Sequence, residues 1–375
     1  MMAQHRLESQ GAGIAPLTTK DNAMFEDMTE FLNGLFALVS ERNASDLLIT
    51  AGAPPMVRID GDLLPAADSP LTPDQTRKLL LSLITEEQTK RFELNKELDF
   101  SLNTEQLEGR FRVNYYMQRG CMAGAFRAIS NIIPTFETLN LPPVIKELCH
   151  RQQGLILITG PTGHGKSTTQ AAMLHEINQT RKCHIVTIED PIEFVHKNAK
   201  SVVDQREIGS DTRDFATALK YVLRQDPDVL LVGEMRDLET ISSALTAAET
   251  GHLVISTLHT NDTVQSVDRI IDVYPPHQQQ QIRIQLGFCL VSVVAQQLIP
   301  LADGEGRIPA VEVLVNNPAV ANLIRDNKTP QIYSILQTHA RDGMIHQEEY
   351  IKKLYREGAI TLEAAQARVR DPRSL

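Results

Sequence analysis

The chain has 375 residues, of which 42% are apolar, and it carries a formal net charge of -10. This length is comfortable for two domains, and the apolar share is sufficient for packed cores, which excludes a chain that is disordered throughout. The acidic balance and the lack of any run of lysine or arginine argue against a nucleic-acid partner.

The cysteine pattern and the hydropathy pattern both favour a cytoplasmic protein. The four cysteines are too far apart for a CxxC pair, which argues against a zinc ribbon or a disulfide framework. No stretch of about 18 uncharged apolar residues occurs, so we expect no direct insertion into a membrane. The N-terminus also lacks the charged-then-apolar pattern of a signal peptide. Another protein would have to bring this chain to a membrane.

The N-terminal part predicts a loose tail followed by alternating helix and strands. Residues 1–23 mix Gln, Gly, Ser and Thr without periodicity, and we expect them to be a disordered tail. Apolar residues at helical spacing predict a helix over 24–39. Residues 46–50 predict a strand, and residues 56–60 predict a second strand that enters a hairpin turn at Gly61.

A small α+β domain is complete by residue 130. One helix is predicted over 71–92, opened by Thr72 as N-cap and Pro73 as first helical residue. Alternating apolar and polar residues over 98–129 predict an antiparallel sheet. The predicted domain spans 24–130, and the prolines that follow predict a linker at 131–153.

The second half predicts a mainly parallel sheet. Continuous apolar runs are typical of strands that are buried on both faces, and helical stretches separate them, which favours right-handed crossovers. The predicted core domain spans 154–315, and a helical region follows at 316–375. The predicted strands are 155–159, 183–188, 229–232 and 253–257.

Residues 160–168 match the phosphate-loop pattern G-x-x-x-x-G-K-[ST] in the required context, after a buried strand and before a helix. Backbone N–H groups of such a loop and the helix N-terminus form an anion cradle. Lys166 would hold the β- and γ-phosphates of ATP, and the Ser167 hydroxyl would bind Mg²⁺. The predicted nucleotide-binding residues are Gly160, Pro161, Thr162, Gly163, His164, Gly165, Lys166, Ser167 and Thr168.

Acidic and histidine residues at strand ends are candidates for catalysis. Glu189 ends one apolar strand and Glu234 follows another, so either carboxylate can orient or deprotonate the attacking water, or hold Mg²⁺ together with Ser167. We favour Glu234 for the Mg²⁺ shell and Glu189 for the water. His252 and His259 bracket a further strand and are predicted to sense the γ-phosphate. As simpler alternatives, an acid pair before a proline is often only a cap, and a lone histidine is often structural.

Four motifs together resemble the secretion ATPase superfamily, in which they are called the Walker A, Asp, Walker B and His boxes. The resemblance extends over about residues 30–370. It implies a RecA-like P-loop ATPase domain with a mainly parallel sheet, an N-terminal α+β PAS-like domain and C-terminal helices. The motifs are GPTGHGKST at 160–168, TIEDPIE at 187–193, VGEMRD at 232–237 and STLHTN at 256–261.

Within the superfamily, AVANLIRD at 319–326 is similar to a C-terminal motif of the type IV pilus retraction ATPases. Accessory retraction ATPases of the same pili are the close alternative. The resemblance implies a homohexameric ring in the cytoplasm, peripheral to the inner membrane at the pilus base. It also implies ATP and Mg²⁺ as cofactors, with nucleotide between the two domains of a subunit. The partners that the resemblance implies are an inner-membrane pilus platform protein and, as a further possibility, a paralogous pilus ATPase.

Arginines from the N-terminal domain contact the phosphates in this superfamily. Of the arginines in the matching region, we favour Arg112 and Arg127, although alternating arginines on a strand often form only a solvated face. One departure concerns His164, where the family usually has serine, and an imidazole there is expected to alter affinity or pH response. A nucleotide-binding ring component with little hydrolysis and a small-molecule kinase are the competing functions, and no acceptor lid for a kinase is evident.

Overall fold

The computed structural model describes residues 28–59, 61–104, 109–129 and 132–375. Two compact units are present, with the division between residues 131 and 132. The predicted tail at 1–23 and the start of the first predicted helix lie outside the described residues. In the part of the chain that is described, no helix is both long and apolar enough to cross a bilayer.

The first unit is a six-stranded antiparallel sheet covered by three helices. The sheet order is β3-β2-β1-β6-β5-β4. Side chains from all three helices, including Phe36 and Phe92, join the inward sheet residues Phe111, Tyr115 and Phe126 in one core. The elements are α1 (Met28–Glu41), β1 (Asp46–Thr50), β2 (Met56–Ile59), β3 (Asp62–Pro65), α2 (Pro73–Leu81), α3 (Glu86–Asn95), β4 (Glu97–Thr104), β5 (Gly109–Gln118) and β6 (Cys121–Ile129).

The helix predicted over 71–92 is two helices. Thr72 caps α2 as predicted, and its hydroxyl and the Gln75 side chain form a reciprocal capping box. The same device recurs at Thr85 and Gln88, which begin α3. The second capping box satisfies the free N–H groups at the start of a new helix. The helix α2 therefore ends before this box, and α3 begins at it.

The second unit contains a seven-stranded sheet in the order β13-β12-β7-β11-β10-β8-β9. Six strands run parallel and β13 pairs antiparallel with β12. Strands β7, β10 and β11 are buried on both faces, which accounts for their continuous apolar sequences. The strands are β7 (Gly154–Thr159), β8 (His184–Glu189), β9 (Val202–Glu207), β10 (Val229–Val232), β11 (Leu253–Leu258), β12 (Leu290–Pro300) and β13 (Arg307–Val315).

Helices cover both faces of this sheet and continue to the C-terminus. Residues 132–153, predicted as a linker, contribute α4, whose Ile145 and Leu148 lie in the same core as Ile156 and Ile158 of β7. The segment therefore packs as part of the second unit. The helices are α4 (Pro143–Leu148), α5 (Lys166–Thr180), α6 (Phe215–Val222), α7 (Leu238–Glu249), α8 (Thr263–Asp272), α9 (Pro276–Cys289), α10 (Pro318–Arg325), α11 (Ile332–Thr338), α12 (Gln347–Arg356) and α13 (Leu362–Gln366).

Candidate nucleotide site

The loop at 160–165 connects the end of β7 to the start of α5. Gly163 and Gly165 have φ of 77° and 80°, in the left-handed region that favours glycine. Gly160 also needs to lack a side chain, because a Cβ there would lie 2.1 Å from the carbonyl oxygen of Gln296 on β12. The loop thus has the strand–loop–helix setting that its motif requires.

Lys166 is the buried cation of this loop. Its Nζ donates hydrogen bonds to the carbonyl oxygens of Gly160 at 2.7 Å and Pro161 at 2.9 Å, and the residue is 8% exposed. Burial lowers the pKa of the Lys166 ammonium, while the carboxylates of Glu193 and Glu234 oppose that shift. An ammonium in this setting attracts anions strongly, since few water molecules screen it.

Glu234 and His259 form a pair at the same edge of the sheet. They follow the neighbouring parallel strands β10 and β11, so their backbones lie side by side. Glu234 Oε2 accepts from Arg236 Nε at 2.8 Å and from His259 Nε2 at 3.3 Å. A carboxylate can only accept, so Nε2 of His259 carries the proton in this bond.

Glu189 ends β8, the next strand along this edge. Its Oε1 accepts from the Thr187 hydroxyl at 2.6 Å and from Gln205 Nε2 at 3.1 Å. Burial raises the pKa of the Glu189 carboxyl, although these two hydrogen bonds act in the opposite direction. A carboxylate with a raised pKa is a stronger base, which is suited to proton abstraction near neutral pH.

The structure brings Glu189, Glu234 and His259 to the edge that carries the phosphate loop. Parallel strands β7, β11, β10 and β8 are consecutive in the sheet, and their carboxyl ends meet there. A cavity of about 490 Å³ opens beside Glu234. Five of its ten lining residues are acidic, including Asp190 and Asp214, and one, Arg236, is basic, so the lining carries a net negative charge.

His252 lies at the edge of the sheet opposite to the phosphate loop, so it does not adjoin the loop within this chain, and its sensing role stays a prediction. It precedes β11, and its carbonyl accepts from the backbone N–H of Gly154 at the start of β7. Its Nδ1 lies 2.9 Å from the Ala247 carbonyl, which identifies Nδ1 as the donor. His252 thus closes the turn from α7 into β11, a full strand length away from His259.

Gln296 and Thr169 contact the loop and were missed by sequence reasoning. Thr169 Oγ1 donates to Gln296 Oε1 at 2.8 Å, and Gln296 Nε2 donates to the His164 carbonyl at 2.9 Å. The signal that could have found Gln296 is a pair of glutamines, Gln296 and Gln297, inside the mainly apolar strand β12.

Arg112 and Arg127 lie side by side in the first unit. They are directly opposite each other in the β5–β6 pairing, so they share one face of the sheet. Arg127 Nε binds Asp46 Oδ1 at 3.0 Å, whereas Arg112 is exposed and has no ion pair among the described residues. Their role in phosphate binding stays a prediction.

Comparison with known proteins identifies close relatives along nearly the whole chain. Residues 136–359 match the family described as type II/IV secretion system protein. A Pseudomonas aeruginosa protein named type IV pilus retractation ATPase PilT is 45% identical over 346 residues, which cover 92% of this chain and 99% of that protein. Type IV pilus ATPase PilU of the same organism is 41% identical over 333 residues, covering 89% of this chain and 87% of that protein.

A solved structure described as the pilus retraction motor PilT with bound ADP has the same fold. It is 50% identical, has a TM-score of 0.84, and the match covers 92% of this chain and 98% of that one. This likeness confirms the predicted fold class of an α/β ATPase domain with a mainly parallel sheet, preceded by an N-terminal domain with an antiparallel sheet.

Proposed function

This chain belongs to the type II/IV secretion system protein family, and we propose that it is an ATP-hydrolysing motor that retracts type IV pili. One observation carries the proposal: the buried Lys166 of the phosphate loop lies at the same sheet edge as Glu189 and the Glu234–His259 pair. The names of two relatives, type IV pilus retractation ATPase and pilus retraction motor, support the choice of pilus retraction.

We propose that the phosphate loop binds ATP through its amides and Lys166. The Ser167 hydroxyl in the first turn of α5 and the Glu234 carboxylate supply the oxygen ligands that Mg²⁺ prefers. No group of three or more His, Cys, Asp or Glu side chains suited to a metal occurs among the described residues. This fits a cation that is held mainly by phosphates and a few protein oxygens. Bound Mg²⁺ would neutralise the charge that develops on the phosphates.

We assign Glu189 to the attacking water and His259 to nucleotide sensing. Burial raises the pKa of Glu189, which makes its carboxylate a better base for deprotonating water. His259 Nε2 already donates to Glu234, so any movement of Glu234 on phosphate release would change that bond. In this way hydrolysis would change the position of the His259 side chain, which is exposed at the edge of the second unit.

The assembly that we propose is a homohexamer at the base of the pilus. It would work in the cytoplasm, peripheral to the inner membrane, with an inner-membrane pilus platform protein as its partner. The PilU-named relative supports a second candidate function, that of an accessory retraction ATPase that acts beside a paralogue. A nucleotide-binding ring component with little hydrolysis is the remaining alternative.

Deletion of the gene tests the direction of the motor. We expect excess surface pili and loss of twitching, because assembly would continue without retraction. The measurement is a count of pili by electron microscopy together with a twitching assay, with complementation by the intact gene as control. Cells without pili would show that the motor extends the pilus. Normal retraction that fails only when a paralogue is also deleted would identify the accessory role.

The two arginines of the first unit are expected to differ. Arg112→Ala should lower ATP turnover by about tenfold or more, since an arginine that stabilises the transferring phosphate contributes about 10³–10⁵ in rate in some P-loop GTPases. Arg127→Ala should have the smaller effect, because Asp46 already neutralises its guanidinium. Arg77→Ala, which removes an exposed arginine paired with Glu93 in the same unit, is the control. Steady-state phosphate release measures all three, and the reverse ranking would assign the phosphate contact to Arg127.

A further inference from the structure

Strand β12 contacts the phosphate loop through one buried side chain. Gln296 is 3% exposed, and its amide group binds two different parts of the nucleotide site. Its Oε1 accepts from Thr169 in the first turns of α5, and its Nε2 donates to the carbonyl of His164. A single residue of β12 therefore connects the helix after the loop to the loop itself.

The glycines of the loop make room for this residue. A Cβ on Gly165 would lie 2.9 Å from Gln296 Nε2, just as a Cβ on Gly160 would meet the Gln296 carbonyl. The fit between the loop and β12 thus involves both ends of the loop. Since β12 is itself paired with β7 and β13, its position is set by the sheet.

Two residues farther along β12, a second bond reaches the loop. The backbone N–H of Leu298 donates to Nδ1 of His164 at 2.9 Å. A further contact comes from β13, where Arg307 Nη1 donates to the Gly163 carbonyl at 3.2 Å. The His164 imidazole is therefore bonded to the backbone of the strand that lies beside β7.

We propose that β12 sets the shape of the phosphate loop, with Gln296 and His164 as positioning residues for nucleotide binding. The proposal rests on the proposed ATPase function. A phosphate cradle works only when its amides converge on one point, and a loop that is already held in that shape loses less conformational entropy on binding. The β12 bonds supply this restraint from outside the motif.

The bond to Leu298 requires a neutral His164. Nδ1 accepts in it, so a protonated imidazole cannot make it. The charged groups that influence the ring are Arg307 on β13, Lys166 on α5 and Arg368 after α13, all of them positive. Burial, followed by these charges, lowers the pKa of His164. The bonded form is therefore complete above the ordinary histidine pKa of about 6.5 and is lost as the pH falls through the lowered value.

The first experiment compares two adjacent glutamines. Gln296→Met keeps the length of the side chain but removes both hydrogen bonds, and we expect about tenfold weaker ADP binding with a smaller change in kcat at saturating ATP. Gln297→Met, on the next residue of the same strand, is the matched control and should leave ADP affinity unchanged. Equal ADP affinity of Gln296→Met and the wild type would overturn the role of Gln296.

The second experiment separates positioning from general stability by pH. Asparagine presents an acceptor where histidine has Nδ1 but does not titrate. The rise in the ADP dissociation constant from pH 8 to the most acidic pH at which both proteins stay folded should therefore be larger for the wild type than for His164→Asn. The phosphates of ADP titrate equally in both proteins, so they cancel in this comparison. His164→Ser, which is too short to reach Leu298, should bind more weakly than His164→Asn at pH 8.

These outcomes separate the proposal from the function on which it rests. An equal rise in the ADP dissociation constant for the wild type and His164→Asn would overturn the role of His164. If the wild type itself bound no ADP at either pH, the proposed ATPase function would fail, and the role of β12 would fail with it.

Discussion

Lys166→Ala is expected to weaken ATP binding by about 10- to 100-fold, because hydrogen bonds to charged groups contribute about 1.5–3 kcal/mol each. Turnover should fall by about 100-fold or more, as it does when a preorganised charge is removed from a developing anion. The physical reason is the burial of this ammonium, on which the charged groups that act, Glu193 and Glu234, are both anionic. Isothermal titration with an ATP analogue and phosphate release measure the two effects.

A matched control for this loss of charge is Lys182→Ala. Lys182 is exposed just after α5, in the same unit but away from the loop. We expect the Lys182→Ala protein to bind and hydrolyse ATP as the wild type does. Because Lys166 also holds the carbonyls of Gly160 and Pro161, the thermal midpoint of each variant should be recorded. A folded Lys166→Ala protein with wild-type affinity and turnover would exclude this loop as the triphosphate site.

Local sequence patterns predicted the elements that carry the site. The strands that end at Thr159, Glu189 and Val232 could be located because burial on both faces requires a continuous apolar run. Few other structures have a short run of this kind. Glu234 and His259 could then be assigned to one edge, since parallel strands share the direction of their carboxyl ends. Thr72 likewise marked the start of α2 by its side-chain chemistry.

Positions that depend on strand direction or on distant pairing were harder to predict. His252 and His259 are equally close to β11 in sequence, yet only the residue after the strand reaches the loop edge. Gln296 is 136 residues from Gly160, and their contact depends on β12 joining the sheet beside β7. No spacing rule connects residues so far apart, because the register of the sheet brings them together.

Glu189→Gln and Glu234→Gln are expected to impair hydrolysis in different ways. As general base, Glu189 should account for about 10²–10⁴ in kcat, so its amide should bind ATP normally but turn over slowly at any Mg²⁺ concentration. Glu234→Gln should raise the Mg²⁺ concentration needed for half-maximal rate, because a neutral amide is a weaker ligand for a hard cation. Glu239→Gln removes an exposed carboxylate from the same cavity and is the control for loss of charge alone.

The pH dependence of turnover decides which carboxylate is the base. Burial raises the pKa of Glu189, so the wild-type kcat should decline on the acid side at a pH above the ordinary glutamate value of about 4.3. Protonation removes the base, and activity is therefore complete above the raised pKa and lost below it. The residual activity of Glu189→Gln should lack this acid limb, whereas that of Glu234→Gln should keep it at saturating Mg²⁺. If the limb persisted in Glu189→Gln and vanished in Glu234→Gln, the roles of the two carboxylates would be exchanged.

The rate of the wild type also tests the competing function. If the wild type and Glu234→Gln released phosphate at equal rates near zero, the result would favour a nucleotide-binding ring component with little hydrolysis, because removal of the Glu234 carboxylate would then not lower the rate.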